Sequence, residues 1–291
     1  MSKNYISKKQ QDEILGFLQP QLNSPLPDYT NLFLNKHPLG LLSPKFKTLI
    51  IESISPTSVQ KTQDGIHIET KDWLSMSDLL TKITWHWHEQ KIYDNWRNEL
   101  FDVRDEQDNN TLFLLERSAF RPLGLKSHAV HLNAWFIDDD DSIVHWIAKR
   151  SAHKAVSPNK LDNIACGGIS AGESPYTSIV RESMEEAGIQ ANKLKYIFKS
   201  NSYFSFRKVH NGMHREYLHV YHLKTSKQLN PNNIDGEVSY FQKMTHSELI
   251  NAILNGEFML DSVISLLDLW LSLQCFEPHG KLGQWLKYLQ I

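Results

Sequence analysis

Three glutamates, Glu182, Glu185 and Glu186, stand at i, i+3 and i+4, so a helix there would carry all three carboxylates on one face. The segment does read as a helix. Ser174 suits the N-cap and Pro175 the first helical position. Tyr176, Ile179, Val180, Met184 and Ala187 recur as an apolar face, and Gly188 is placed to end the helix. Carboxylates this close repel one another when ionised. No lysine lies at helical spacing to relieve them; a hard divalent cation would, and oxygen ligands suit Mg²⁺ or Mn²⁺. Arg181, one turn before Glu185, can orient it, and Glu173 sits just ahead of the helix N-terminus, where negative charge is favoured. A glycine-rich loop precedes the helix and can offer a backbone carbonyl to the same ion, from Gly167 by counting back from Glu173, or from Gly168. A solvated acidic face is the bland alternative. It does not account for the loop, Glu173 and Arg181 standing at fixed separations from the glutamates.

Residues 167–189 fit the pattern G-x5-E-x7-R-E-U-x-E-E-x-G-U, with U aliphatic, at every fixed position but that of Ser183. On these residues the chain resembles a Nudix hydrolase. More narrowly it resembles the subfamily with an extra N-terminal domain that is linked to thiamine diphosphate breakdown. That likeness runs through Trp96-Arg97-Asn98-Glu99, Glu116-Arg117, His131-Leu132-Asn133, Arg150-Ser151, Lys154, Leu161-Asp162-Asn163 and Asp235-Gly236-Glu237-Val238. The resemblance implies metal roles for Glu182, Glu185 and Glu186, catalytic roles for Glu185 and Arg181, and a metal or water-activating role for Glu237. It also implies Lys154 and Arg150 as phosphate-gripping cations. Glu237, read alone, is an acid beside an Asp-Gly turn, and Arg150 and Lys154 are cations of an exposed loop. Trp96 and Arg97, with Trp85 and Trp87, are candidates for the wall of a substrate cleft; core packing is the alternative for the tryptophans.

These residues need elements to hold them. Helices are expected over 8–19, 75–90, 246–254 and 261–275, and a loop over 20–45, which is rich in Pro, Asn and Ser. Strands are expected at Lys47–Ser53, Gly65–Thr70, His128–Ile137, Ser142–Lys149, Asp162–Cys166, Lys193–Phe206, Glu216–Leu223 and Val238–Lys243. Glu99–Arg104 and Thr111–Arg117 read as a hairpin around the polar turn 105–110, and the run Asp138–Asp141 as a charged hairpin turn. The fold expected is α/β: residues 123–291 as a Nudix α/β/α sandwich around a mixed sheet, preceded by a small α+β domain over 1–122 that sets substrate selectivity.

Composition narrows the partners. The formal net charge of −2 over 291 residues gives no basic field for nucleic acid, which argues against a messenger-RNA decapping enzyme. Two cysteines, Cys166 and Cys275, exclude a disulfide scaffold and fit a reducing compartment, and the N-terminus lacks the apolar core of a secretory signal, so a cytoplasmic protein is expected. No apolar run reaches membrane-spanning length. The function expected is hydrolysis of the diphosphate of thiamine diphosphate, or of its oxo or oxy analogues, to the monophosphate and phosphate. The alternatives are a pyrophosphatase acting on a nucleotide-sugar or dinucleotide, and a ligand-binding protein on the same scaffold.

Overall fold

A computed structural model describes residues 4–22, 26–93, 96–105, 107, 109–154 and 156–291. Residues 23–25 of the expected 20–45 loop, and 106 and 108 of the polar turn, lie outside these.

The first half opens with α1 (Lys8–Leu22), then β1 (Thr30–Leu34), β2 (His37–Leu42), α2 (Pro44–Ser53), β3 (Val59–Lys61), β4 (Gly65–Ile68) and α3 (Trp73–Glu89). Strands pair in the order β2-β1-β4-β3. A hairpin, β5 (Leu100–Arg104) and β6 (Thr111–Glu116), and a short helix α4 (Phe120–Leu123) complete this unit. Its core joins Phe46 and Ile50 of α2 to Leu80 and Trp87 of α3 and Leu115 of β6.

Two expectations fail here. Part of the 20–45 loop is the β1–β2 hairpin, turned by Asn35 and Lys36 at φ 45° and 72°. Its Pro38 is tolerated because β2 is an edge strand, and the pairing shifts register beside it, between Leu32 and Phe33. The strand expected at Lys47–Ser53 is helix α2. Pro44 opens it and Phe46 and Ile50 bury one face at i, i+4 spacing, outweighing the β-branched Ile50-Ile51 pair.

The second half is built on one mixed sheet. It contains β7 (Ser127–Ile137), β8 (Ile143–Arg150), β9 (Leu161–Asp162), β10 (Ala165–Gly168), β11 (Phe198–Val209), β12 (Gly212–Lys224) and β13 (Val238–Thr245). The order is β11-β12-β7-β8-β13, with β10 added to β7 and β9 to β8. Only the β7–β12 pairing is parallel. Helix α5 (Pro175–Ala187) covers one face, where Ile179 and Ala187 meet Val130, Leu132 and Tyr221. Helices α6 (His246–Leu254), α7 (Leu260–Ser272) and α8 (Lys281–Leu289) cover the other, where Ile264 and Trp270 meet Ala129, Leu218 and Val220. The α/β/α sandwich is therefore present. The strand expected from Lys193 begins at Phe198, because Ala191–Tyr196 coils into a 3₁₀ turn first. The single strand expected at Asp162–Cys166 is split into β9 and β10. Helix α1 packs on α6, α8 and β11, with Ile14, Leu18 and Leu22 in the same core as Trp270, so the beginning of the chain is folded into the second unit.

Candidate active site

Helix α5 forms where the residue types demand it. Ser174 Oγ accepts the Thr177 N–H, Pro175 occupies the first turn, and Gly188 at φ 64° donates its N–H to Met184 O. A side chain at Gly188 would also press on Asn232 O at 2.9 Å. Ser183, the one departure from the spacing pattern, is fully buried and donates to Ile179 O at 2.6 Å, so its hydroxyl is satisfied inside the helix.

Strand β10 delivers two glycines to this helix. A Cβ on Gly167 would stand 2.1 Å from the Glu182 carboxylate, and one on Gly168 would stand 2.3 Å from the Phe101 ring. The Glu182 carboxylate therefore rests directly on the Gly167 backbone. The Gly168 carbonyl instead accepts from Arg181 Nη2 at 3.4 Å. Arg181 is the organiser of the face. Its Nε and Nη2 donate to Glu173 at 2.9 Å each, while Nη1 reaches Glu182 at 2.7 Å and Glu185 at 3.0 Å. Hydrogen bonding from Arg181, with help from Ser178, holds the Glu173 carboxyl below its usual range.

Glu186 lies deeper, 3% exposed. Its Oε2 accepts the Cys166 N–H at 2.8 Å and its Oε1 pairs with Lys154 Nζ at 3.1 Å. Burial pushes its carboxyl up to about 7, reinforced by Glu182 and Asp162 and opposed by Lys154. Burial likewise raises Glu182, against Arg181. Lys154 also pairs with Glu237, and Glu237 meets Arg97 Nη1 at 3.5 Å. Carboxylate oxygens of Glu186, Asp235 and Glu237 lie within 4.8 Å of one another. Carboxylates raised by burial and by neighbouring carboxylates, with the Gly167 backbone beside them, are oxygen donors suited to a hard divalent cation. Lys154 now supplies the positive charge they call for.

The carboxylates face a cleft of about 430 Å³ that is also lined by Arg97, Arg117 and Lys154. Arg97 is held by backbone: Glu116, 1% exposed, accepts the N–H groups of Arg97 at 3.0 Å and Glu99 at 2.9 Å. Arg117 pairs with Glu99 at 2.5 Å. Burial and the nearby Arg117 both lower the Arg97 pKa, and Glu99 and Glu116 oppose them.

Not every candidate from the sequence reaches the cleft with its chemistry free. Arg150 touches the cleft wall, yet its guanidinium is spent on Asp162 at 2.6 Å and on the carbonyls of Val156 and Ser157. Trp96 does not line the cleft; it packs edge-on against Trp85 and stacks on His88. Cys166 lines the cleft but its thiol donates to Asp162, and burial, with Asp162 and Glu186, pushes its pKa up. Sequence reasoning missed Arg117, Glu99 and Asp235 as site residues. All three stood inside the motifs that carry the resemblance, but only the folded chain brings them to the glutamates.

The segment that carries this loop and helix has a known relation. Residues 127–264 match the family model of the NUDIX domain. They are a Nudix domain. The chain is 30% identical to an uncharacterized protein of Saccharomyces cerevisiae over 186 residues, 60% of this chain and 54% of that one. It is 32% identical to Nudix hydrolase 24, chloroplastic, of Arabidopsis thaliana over 175 residues, 57% of this chain and 45% of that one. The chain thus spans about half the length of the curated relatives it matches. Among solved structures, it resembles a Deinococcus radiodurans protein (19% identity, TM-score 0.45, 66% of this chain and 99% of that one). It also resembles the NUDIX domain of Shewanella oneidensis NrtR complexed with ADP ribose (14% identity, TM-score 0.42, 55% and 94%). Outside the Nudix domain, the loop and α5 are braced by the β5 hairpin: Ser170 Oγ donates to Glu99 at 2.9 Å and Ala171 N–H to Leu100 O at 2.8 Å. No helix among the described residues is long and apolar enough to cross a membrane.

Proposed function

We propose that this chain is a divalent-metal-dependent hydrolase of small-molecule diphosphates, using Mg²⁺ or Mn²⁺. The observation that carries the reading is the meeting, in one cleft, of buried carboxylates with raised pKa and a cluster of cations that line the same space. Glu182, Glu185 and Glu186, with Asp235 and Glu237, are the residues that would hold the ion, with the Gly167 backbone beside Glu182. Bound there, the ion would neutralise diphosphate charge and make a water more acidic. The chain's own residues supply the remainder. Arg97, Arg117 and Lys154 grip phosphate oxygens, and Arg181 fixes Glu182 and Glu185 so that no reorganisation is needed during reaction. Glu237, a third exposed and hydrogen-bonded to Arg97, is placed to take the proton of the attacking water. Arg150 acts by holding Asp162 and the loop that presents Lys154.

For the substrate we favour thiamine diphosphate or its oxo or oxy analogues, cleaved to the monophosphate and phosphate. The support is the set of flanking motifs, of which Arg97, Glu116-Arg117, Lys154 and Asp235-Gly236-Glu237 all meet at this cleft or hold its wall. Trp96 gives no support, because it packs away from the cleft. The second reading is a nucleoside diphosphate derivative, favoured by the NrtR likeness only in what that protein holds. The test is release of phosphate or monoester from thiamine diphosphate, its two analogues, ADP-ribose and NADH, with Mg²⁺ or Mn²⁺ and with EDTA. Activity that persists in EDTA removes the metal-dependent reading. A clear preference for ADP-ribose or NADH removes the thiamine one.

A further inference from the structure

The cleft does not end at the phosphate-gripping arginines. Past Arg97, Arg117 and Val156, which line both spaces, it opens into a narrower recess of about 90 Å³ between the two units. Phe101 and Phe120 give this recess apolar wall; Arg121, Ser127, Asn211 and Glu216 give it polar groups. The polar groups are incompletely paired. Among the described residues the Arg121 guanidinium, with five donors, makes one hydrogen bond, at 3.5 Å to His214 Nδ1, with the charges of Glu216 and Asp261 acting on it. Asn211 Oδ1 is buried with no hydrogen-bond partner among the described residues. Glu216 faces Ser127 across the parallel β12–β7 pair, and Ser127 Oγ donates to its Oε1 at 2.8 Å. That bond fixes the carboxylate while its Oε2 has only His214 Nε2 at 3.8 Å. A folded chain that leaves an amide oxygen unpaired and a guanidinium and a carboxylate oxygen only partly hydrogen-bonded in a recess gives up stability there, and a ligand that completes them recovers it.

We propose that this recess receives the organic end of the diphosphate, and that Arg121 and Glu216 select a nitrogen heterocycle whose edge carries a ring N–H or amino group next to an acceptor. This rests on the diphosphatase reading above. The complementarity is chemical. Glu216 and Asn211 Oδ1 only accept, so they require a donor; Arg121 only donates, so it requires an acceptor. Phe101 and Phe120, packed edge-to-face on each other with centroids 5.6 Å apart, give the ring one apolar wall. A saturated sugar or an alkyl chain would leave these groups unpaired, and sites that bury polar groups reject such analogues strongly. Amidine and lactam edges both satisfy the pair, so the recess takes this class of ring with either edge.

The experiment compares ring-bearing with ringless diphosphates. Wild type, Glu216→Gln and Asn211→Ala are assayed on thiamine diphosphate, ADP-ribose and methyl diphosphate. The expected result is a KM for the ring-bearing substrate raised at least tenfold in Glu216→Gln, with kcat changed less than threefold. The ring-bearing to methyl diphosphate ratio of kcat/KM should collapse by the same factor. A merely structural Glu216 would lower both substrates alike, and an unchanged ratio in both variants overturns the proposal. Should wild type hydrolyse no diphosphate, the catalytic reading falls separately. Calorimetric binding of ADP with Mg²⁺ then decides the recess: weaker binding to Glu216→Gln than to wild type supports it, and equal affinity overturns it.

Discussion

Asp102 Oδ2 accepts the backbone N–H of Gly172 at 3.1 Å, joining the β5 hairpin to the glycine loop that leads into helix α5. The same carboxylate is steadied by Arg104 at 3.0 Å and Thr111 at 3.1 Å. The Phe101 ring, next along β5, fills the space that a side chain on Gly168 would need. The N-terminal unit is therefore the outer wall of the loop. It braces the loop that carries Gly167 and Gly168.

Asp102→Asn tests that wall. The amide keeps the shape but loses the charge that holds both the Gly172 N–H and Arg104. Turnover is expected to fall about tenfold, since hydrogen bonds to charged groups contribute roughly 1.5–3 kcal/mol and only part of that reaches the loop. An N-terminal unit concerned with selectivity alone would leave kcat on methyl diphosphate untouched, and steady-state kinetics on that substrate separates the two outcomes.

Glu186→Gln should keep the fold and remove the reaction. The buried carboxyl sits at about 7, so it is near half-protonated at neutral pH and a neutral amide replaces it with little strain. Thermal unfolding in EDTA should change by no more than a few degrees, while turnover drops by two or more orders of magnitude and the apparent Mg²⁺ affinity weakens. Activity within threefold of wild type would remove Glu186 from the metal set.

Gly167→Ala should act through Glu182. The added methyl would stand 2.1 Å from that carboxylate, which must swing off the Gly167 backbone and out of its Arg181 contact. Metal affinity and turnover are expected to fall together, by roughly a hundredfold if one donor is lost. Titration of Mn²⁺ by electron paramagnetic resonance reads the first effect without relying on activity.

The parts of the site legible in the sequence are those set by local spacing. Glu182, Glu185, Glu186, Arg181 and Glu173 lie within a loop and three and a half turns of helix, so the helix period alone brings them together. Lys154 and Glu237 were legible only through resemblance, because they arrive from the β8–β9 loop and the start of β13. Arg117, Glu99 and Asp102 answer to no local pattern: their place depends on a hairpin from the other unit landing on the glycine loop. Trp96 and Arg150 show the converse. An aromatic beside a cation looks like a binding wall, yet Trp96 finds Trp85 and His88, and Arg150 finds buried Asp162. The misread β2 and α2 fell where Pro38 hid an edge strand and Ile50-Ile51 imitated one.

Stability should fall in mild acid, with a named contributor. His128 Nδ1 and His219 Nε2 stand 3.1 Å apart in the second cavity against the sheet. Burial, with His219 beside it, lowers His128 to about 3, and burial, with Lys199 and Arg104, lowers His219 to about 4. Both folded values lie below the unfolded value of about 6.5. The unfolded chain therefore binds protons that the folded one refuses. The stabilisation is fully present above that pH and is lost as pH falls toward 4 and 3. Between pH 7 and 5 each histidine should cost roughly 2 kcal/mol and the pair roughly 4 kcal/mol, or roughly 7 °C in Tm for a chain of this size. His219→Asn should show a shallower fall over the same interval; an identical slope would assign the acid sensitivity to other groups.

Arg97 and Arg117 carry the last prediction. Burial, and then the neighbouring Arg117, lower the Arg97 pKa, and each arginine is only partly compensated, by Glu237 at 3.5 Å and Glu99 at 2.5 Å. A diphosphate entering between them pairs both at once, so they should work as a unit. Arg97→Gln and Arg117→Gln are each expected to raise KM for any diphosphate by ten- to a hundredfold, since charge-assisted contacts to phosphate are the strong ones. The double variant should lose less than the sum of the two free energies, because removing either cation also relieves the other. The effect should weaken as salt rises, for these side chains are about a third exposed and screened accordingly. A double-mutant cycle on KM at 50 and 500 mM NaCl measures all three. Strict additivity with no salt dependence would mean that the two arginines do not share one phosphate group, and would move the grip to Lys154 alone.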